Sequence, residues 1–556
     1  MTRVTMKERS VEADVLCIGG GIAGLMAAIR AAELGAKVIV ADKANVRFSG
    51  AGATGNDHFM CYIPEVHGKD FEAWIQEFQL SQQATLRKKS FIRTWLERSF
   101  EIVQLWDKWG IPMKYNGKWE FAGHGMPGQM LTHLHYAGKD QKKILTKEAV
   151  NRGAKIINRV MCFDLLRDEK GVKGAIGVNT REDELVIFKA KNIILGTGSV
   201  VRLYPGPTPA WLFNTRLSPT CVGDGRAMAF RAGAELASME LPVFRCGPVY
   251  FARAGKATWG GVLRDPSGKP VGPFVTKPDN KYGDPVVDVY QDIFMDYKKS
   301  GRGPVYMDCD GLSNEELEYM LYWLRNEGNA GFLDYLKKEG IDIRKNPIEF
   351  RSYDQELFPR GGVLYDEESS TSLKGLFAAG DEFFGGISCA AVFGWIAGEY
   401  TAANAKAMDI RNLDGSKGCI EENKALFEEM RSRPVGSKSA HWKEANIALQ
   451  QIMTDFAGSV RSETLLNAGA LALKRLKKKT RESMGASNSH ELTRAVETLN
   501  LIDLGELVIA TAGERKETRG KHIRSDYPFT NPMLAKLLIV KKANGNTITE
   551  WREIDR

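Results

Sequence analysis

The chain has 556 residues, 43% hydrophobic and 26% charged, the composition of a globular protein large enough for two to four domains and unlike that of fibrous or disordered chains. Its 77 basic and 69 acidic side chains leave a net +8, too mild and dispersed for a nucleic-acid-binding face, and no run approaches the roughly 20 apolar residues of a membrane span. The polar first ten residues lack the core of a secretory signal, and the eight cysteines form no C-x-x-C pair. These features predict a reduced, cytoplasmic chain, soluble or held at a membrane surface through a partner, with no iron–sulfur or zinc site of its own.

The first strong pattern runs from Asp14 to Asp42. An apolar strand over 15–18 enters a glycine cluster, an alanine-rich helix runs to about Leu34, Gly35 stops it, and a second strand covers 37–40. Gly19-x-Gly21-x-x-Gly24 lies in the turn. Gly19 permits the tight turn, Gly21 lets a pyrophosphate approach the backbone, and Gly24 lets helix and strand pack closely. The helix N-terminus offers free N–H groups and a positive dipole end, and Asp42 stands where a carboxylate accepts ribose hydroxyls. Strand, turn, helix and strand together predict dinucleotide binding.

Further along, His133 and His135 alternate on one face of a short strand. With no third ligand apparent nearby, they read as hydrogen-bonded structural histidines, and no metal site is expected. Alternating segments at 172–178 and 184–188 predict a β-meander, and 191–199 is an apolar strand ending in a glycine turn. A turn at 223–225 opens a helix. Residues 241–355 change texture, with proline and glycine turns and an acidic-aromatic helix over 314–338, and read as an inserted domain. Residues 373–381 repeat the strand-into-Gly-Asp pattern and a glycine- and alanine-rich helix follows over 390–406. Beyond 406 the chain reads as mostly helical, with breaks at 433–436 and 484–488. The densest basic run, 474–481, is a solvated helix face.

In this order the glycine turn, Leu195-Gly-Thr-Gly-Ser199, Gly223-Asp-Gly225, residues 231–240, Arg360-Gly-Gly-Val363, Gly375-Leu-Phe-Ala-Ala-Gly-Asp381 and the run 514–528 resemble the flavoprotein family of fumarate reductase, succinate dehydrogenase, L-aspartate oxidase and adenylylsulfate reductase. The resemblance implies an α/β fold: a discontinuous Rossmann-type FAD-binding domain (1–240 and 356–405), an inserted α+β capping domain (241–355) and a helical C-terminal domain (406–556). It implies FAD contacts at Gly19, Gly21, Ala23, Gly24 and Asp42 for the adenosine and pyrophosphate. Lys43, Ser49, Gly50, Thr54 and Gly55 match the segment along the flavin, and Thr197, Gly198, Asp224, Gly380, Asp381 and Ser388 match further contacts. Gly50 stands where covalently flavinylated members carry histidine, so the FAD is expected to be non-covalent.

The catalytic half matches differently. Arg245 replaces the histidine of the fumarate reductases, whose further histidine and arginine fall near Leu357 and Val392. This removes most of the cationic clamp a dicarboxylate requires. Residues 241–251 look more like the alpha subunit of adenylylsulfate reductase, in which an arginine matching Arg245 meets the substrate. Arg245, Arg360 and Cys389 are the expected substrate-side residues. The resemblance therefore implies an adenylylsulfate-reductase-like flavoprotein subunit that exchanges two electrons between a small anionic substrate and a ferredoxin-like iron–sulfur subunit docked on the helical C-terminal region. It leaves room for a homo-oligomer of that heterodimer. The alternatives are a fumarate reductase/succinate dehydrogenase-like hydride transfer on another organic substrate, and a non-catalytic electron relay.

Overall fold

A computed structural model of the chain describes residues 4–80, 86–122, 130–208, 211–243, 246–249, 260–272, 276–279, 288–352, 357–433 and 439–554. Five parallel strands form the centre, in the spatial order Lys155–Asn158, Val38–Asp42, Lys7–Ile18, Glu184–Leu195 and Leu376–Ala378. On the edge away from Lys7–Ile18, Glu184–Leu195 serves two neighbours. Its last residues pair with Leu376–Ala378, whereas Leu185 to Lys189 pair antiparallel with Gly171–Asn179, which pairs in turn with Val160–Asp168. The meander expected from the alternation at 172–188 is this antiparallel extension.

The first strand begins at Lys7, earlier than its apolar run suggests, because Lys7 to Ala13 pair in register with Glu184 to Ala190 on a face left partly in water. Its half-buried alternation ends in the buried run Val15 to Ile18, against which the helices Ile22–Glu33 and Ile387–Lys406 pack. The helix Ile22–Glu33 packs against Ile387–Lys406. A Cβ at Gly394 would lie 2.4 Å from the Ala23 carbonyl oxygen, and one at Gly398 2.6 Å from that of Ala27. The two glycines, one helical turn apart, therefore set how close the helices come.

Between residues 262 and 350 lies a separate apolar cluster that includes Val262, Met307, Met320, Phe332 and Phe350. The acidic-aromatic segment is two helices, Asn314–Asn326 and Ala330–Lys338. Ser313 and Glu316 close a capping box at the start, and Gly328, at φ +92°, ends the first helix. The C-terminal region contains the helices Lys417–Ser432, Trp442–Ala457, Glu463–Ser483 and Ser489–Glu514. It does not stay helical. Leu537–Ala543 and Asn546–Arg552 form a hairpin around Asn544-Gly545, both at positive φ, and join Leu236–Ala237 and Gly362–Val363 in a four-stranded sheet. Leu537, Leu538, Ile539 and Val540 are buried there, and Asn-Gly is the turn such a hairpin favours. Among the described residues, no helix is long and apolar enough to cross a membrane.

Candidate active site

The carboxyl ends of the parallel strands open onto a cavity of about 300 Å³. On one wall the turn after Lys7–Ile18 brings Gly19, Gly21 and Ala23 to the lining. Gly19 sits at φ +94°, where a Cβ would lie 2.5 Å from the Gly196 carbonyl oxygen, so only glycine serves. At Gly21 the backbone is open instead, a Cβ meeting only the Gly196 oxygen at 3.5 Å. The helix Ile22–Glu33 begins without a side-chain cap and without an acidic residue in its first turn. Its N–H groups and dipole are therefore available to a phosphate. Gly24 is not in the lining; a Cβ there would lie 1.9 Å from the Gly19 oxygen, so its role is to let the helix pack on its own turn.

Asp42 ends the next strand and lines the cavity, accepting hydrogen bonds from the Gly20 and Ala44 amides and the Ser49 hydroxyl, each at 2.8 Å. Ser49, Gly50, Thr197, Gly198, Asp224, Asp381 and Ser388 also line it. Thr54, Gly55 and Gly380 do not. A Cβ at Gly55 would meet the Asn326 carbonyl at 2.2 Å and one at Gly328 the Thr54 carbonyl at 2.8 Å, so residues 54–55 pack against the end of the helix Asn314–Asn326. An open glycine cradle at a helix start, a carboxylate at the following strand end and polar groups along the wall suit a dinucleotide such as FAD.

A buried ion network stands behind this wall. Lys43 donates to Asp224 at 2.6 Å and Glu497 at 2.9 Å, and Glu497 also accepts from Arg202 at 2.7 Å and Arg494 at 2.8 Å. Asn500 donates to the other Asp224 oxygen at 2.8 Å. Burial works against the Lys43 ammonium, yet the two carboxylates hold it above its ordinary range. Burial likewise opposes the Glu497 carboxylate, and Lys43, Arg202 and Arg494 drive it well below the carboxylate range. Lys43 is thus both a lining residue and the link between the cavity and the helix Ser489–Glu514. Nearby, the Thr197 amide and hydroxyl donate to Glu382 at 2.7 and 2.6 Å, and burial raises that carboxyl above its usual range.

The remaining wall carries reactive side chains. Arg360, Cys389, His58, Met60 and His133 line it. His58–Met60 and His133–His135 are paired antiparallel strands in which His58 faces His135 and Met60 faces His133, and the His58 and His133 rings are 5.4 Å apart. The Ser388 hydroxyl donates to the Met60 carbonyl and accepts from the Trp95 indole at 2.8 Å, fixing Cys389 beside this ribbon. Cys389 is fully buried; burial, then the Asp381 carboxylate, hold its thiol protonated well above the usual range. Arg87, also buried, donates to the Phe383 carbonyl at 2.8 Å with its guanidinium 3.8 Å from that ring. Burial, then the Arg360 guanidinium, pushes it down to about 9. Arg245 lies outside the described residues.

The group that the sequence reading missed is Asp57, His58 and Glu327. The Asp57 carboxylate holds His58 Nδ1 at 2.6 Å, and donor atoms of all three residues lie within 4.8 Å of one another. Asp57 is fully buried, and Glu327 is 1% exposed. The adjacent Asp57-His58 pair was visible in the sequence, whereas Glu327 arrives from the end of the helix Asn314–Asn326 through the packing of residues 54–55 on 326–328.

Residues 14–392 match a family model described as FAD binding domain, and residues 446–555 match one described as fumarate reductase flavoprotein C-term. The chain belongs to the FAD-dependent fumarate reductase/succinate dehydrogenase flavoprotein family. It is 28% identical to one subunit of the fumarate reductase (CoM/CoB) of Methanothermobacter marburgensis, over 97% of this chain and 98% of that protein. It is 26% identical to the L-aspartate oxidase of Vibrio cholerae over 94% and 97% of the two chains. Among solved structures, adenylylsulfate reductase from Archaeoglobus fulgidus superposes with a TM-score of 0.85 at 22% identity, covering 99% of this chain and 97% of that one. The Escherichia coli quinol fumarate reductase superposes with a TM-score of 0.80 at 20% identity over 99% and 97%. The protein is an FAD-dependent oxidoreductase with the fold of this flavoprotein family.

Proposed function

We propose that the chain is the flavoprotein subunit of a cytoplasmic reductase that passes two electrons between an iron–sulfur partner and a small anionic substrate. FAD is held without a covalent bond by Gly19, Gly21, Ala23, Asp42, Ser49, Gly50, Thr197, Gly198, Asp224, Asp381 and Ser388, in a domain made of residues 1–240 and 356–405 beneath a cap of 241–355. Bound there, FAD supplies a two-electron carrier that can also pass single electrons to a cluster. The observation that supports a small anionic substrate is that the Arg360 guanidinium, with the His58 and His133 imidazoles, lines the same cavity as the dinucleotide cradle. A guanidinium pairs with an anion through charge-assisted, often bidentate hydrogen bonds, and Arg360 and Arg245 are the residues proposed to hold it.

Adenylylsulfate is the first substrate to test, because residues 241–251 resemble the substrate segment of that reductase. A second reading, reduction of an organic anion by hydride transfer, is favoured by the Asp57–His58 pair, since a reduced carbon centre needs a proton donor. The deciding experiment is anaerobic: the reduced flavoprotein is mixed with adenylylsulfate or fumarate and reoxidation is followed at the flavin absorbance band. Reoxidation with release of AMP and sulfite supports the first reading, and succinate formation supports the second. If neither compound reoxidises the flavin while an artificial one-electron acceptor does so rapidly, the electron-relay alternative replaces both.

A further inference from the structure

We infer that Lys142 supplies the charge that draws the cofactor's diphosphate onto the glycine turn, acting from behind the turn through the Gly20 carbonyl. Lys142 is then a positioning residue of the FAD site, and the inference rests on the cofactor reading above.

Three observations carry it. Lys142 is 2% exposed, yet among the described residues it makes no ion pair. Its ammonium has three N–H bonds to give and donates to the Gly20 carbonyl. Taking such a charge out of water is costly unless an anion compensates it, and among the described residues no carboxylate fills that place. The second observation is where the contact falls. Gly20 lies between Gly19 and Gly21, which line the cavity, and just before the uncapped helix Ile22–Glu33. The Gly20 amide donates to Asp42 at 2.8 Å, so this residue is held by an anion at its N–H and by a cation at its carbonyl. Without the ammonium, the carbonyl oxygen would set a negative dipole end beside the phosphate cradle. The third is that Lys142 is held in place by its helix, Gln141–Asn151. The neighbouring Gln141, fully buried, donates to the Gly52 carbonyl at 2.9 Å and accepts from the Tyr136 hydroxyl at 2.6 Å. One helix start thus grips both the glycine turn and the segment 49–55 along the cavity.

The groups that face the ammonium are Asp42, at the end of the strand Val38–Asp42, and Cys221. Asp42 favours the charge, but its oxygens already accept from the Gly20 and Ala44 amides and the Ser49 hydroxyl. Burial pushes the Cys221 thiol up to about 12, so it is neutral near pH 8. The helix Ile22–Glu33, packed against Gln141–Asn151, carries its charges at the far end, where Arg30 pairs with Glu33 and Glu399. On its own helix the adjacent Lys143 is exposed and paired with Asp140 at 2.7 Å. Burial therefore prevails and brings Lys142 down to about 8. A diphosphate pulls it back up, and an opposite charge near a buried group moves its pKa by about 1–3. By linkage, the protein with Lys142 charged binds FAD about 10- to 10³-fold more tightly than the protein with Lys142 neutral.

The test is a binding measurement. The full chain, freed of flavin by dialysis against potassium bromide, is titrated with FAD at pH 7, 8 and 9, and the quenching of flavin fluorescence gives Kd. In the unsubstituted protein affinity should fall about five- to tenfold from pH 7 to 9. Lys142→Met should bind about 10- to 10³-fold more weakly at pH 7, with no pH dependence over this range. Lys142→Gln keeps an N–H for the Gly20 carbonyl without the charge, and should behave like Lys142→Met. Gln141→Leu, which cuts the tie to Gly52 and spares the charge, should weaken binding and keep the slope. Calorimetry on the unsubstituted protein, in two buffers of different ionisation enthalpy, should show uptake of about half a proton or more per FAD at pH 8.5. That arm decides the matter where the Lys142 variants do not fold. FAD binding with a flat pH profile and no proton uptake overturns the inference and leaves the cofactor reading standing. So does a slope that survives in Lys142→Met, or full affinity in Lys142→Gln. If the unsubstituted protein binds no FAD, the cofactor reading fails and takes the inference with it.

Discussion

Replacing Glu497 by glutamine would remove the central anion of the buried network behind the cofactor wall. Lys43, Arg202 and Arg494 converge on this carboxylate at 2.9, 2.7 and 2.8 Å, and Asp224 is the other anion present. Three cations and two anions become three and one, in a region where the Glu497 and Arg202 side chains are fully buried. Each lost charge-assisted bond is worth about 1.5–3 kcal/mol. The glutamine oxygen can still accept one of the three bonds, so about two are lost, at a cost of about 3–6 kcal/mol. Removing one partner of a buried ion pair costs about 3–5 kcal/mol, and we expect about 4 kcal/mol. The assay is urea unfolding of the full chain, followed by tryptophan fluorescence and by flavin release, and flavin should leave at lower urea because Lys43 lines the cofactor wall. Glu497 is held far below its unfolded range, so its contribution is fully present above about pH 5 and is lost only as the pH falls through the folded value. The difference between the two proteins should therefore be flat from neutral pH to about 5 and shrink in stronger acid. A difference below 1 kcal/mol at pH 7, or one that grows on acidification, would refute the reasoning. Combining Glu497→Gln with Lys43→Met should cost less than the sum of the two, because both act on one pair.

Gly24→Ala should abolish FAD retention, read as the flavin-to-protein absorbance ratio after gel filtration, because its Cβ would lie 1.9 Å from the Gly19 carbonyl oxygen. Burial pushes the Lys142 ammonium, which donates to the Gly20 carbonyl, down to about 8 despite the pull of Asp42. The unfolded chain then binds more protons than the folded one between about pH 8 and 10.5. Stability should rise with pH across that window, and Lys142→Met should flatten the rise in thermal melts. Cys389, fully buried with its thiol held protonated, should resist iodoacetamide at pH 8 in the native protein and react in urea, as read by peptide mass spectrometry.

The cofactor half was legible because its signals are local. Gly19, Gly21 and Gly24 are separated by one turn of chain; Gly19 and Gly24 are required by close backbone contacts, and Gly21 leaves the backbone open to a ligand. The same holds for the break at 484–488, where Asn488 caps a new helix; the helix Lys417–Ser432 ends at the break expected at 433–436, most of which lies outside the described residues. The C-terminal hairpin was legible in principle: Asn544-Gly545 follows the apolar run 537–540, but the helical texture before it masked a period of two. The split of the acidic-aromatic helix turned on Gly328 alone, which propensity reads as a tolerated interruption.

Side chains drawn from distant segments were not legible in the same way. Asp57 and His58 lie just past the glycine-rich flavin segment, and nothing in their spacing announces Glu327. That residue reaches them only because Gly55 and Gly328 let two backbones touch. Arg87 likewise comes near Arg360 and Cys389 through tertiary packing, and an isolated arginine carries no signal in the sequence. The difference has a chemical basis. A dinucleotide is held largely by backbone N–H groups and glycine-lined space, which one continuous motif encodes, whereas a substrate is held and protonated by side chains gathered from several elements. The network around Lys43 extends the point, because Glu497 and Asn500 belong to a helix hundreds of residues from the glycine turn, yet they fix a side chain on the cofactor wall. The C-terminal region therefore supports the wall of the cavity proposed to hold FAD, and its loss should release flavin even where the glycine turn is intact.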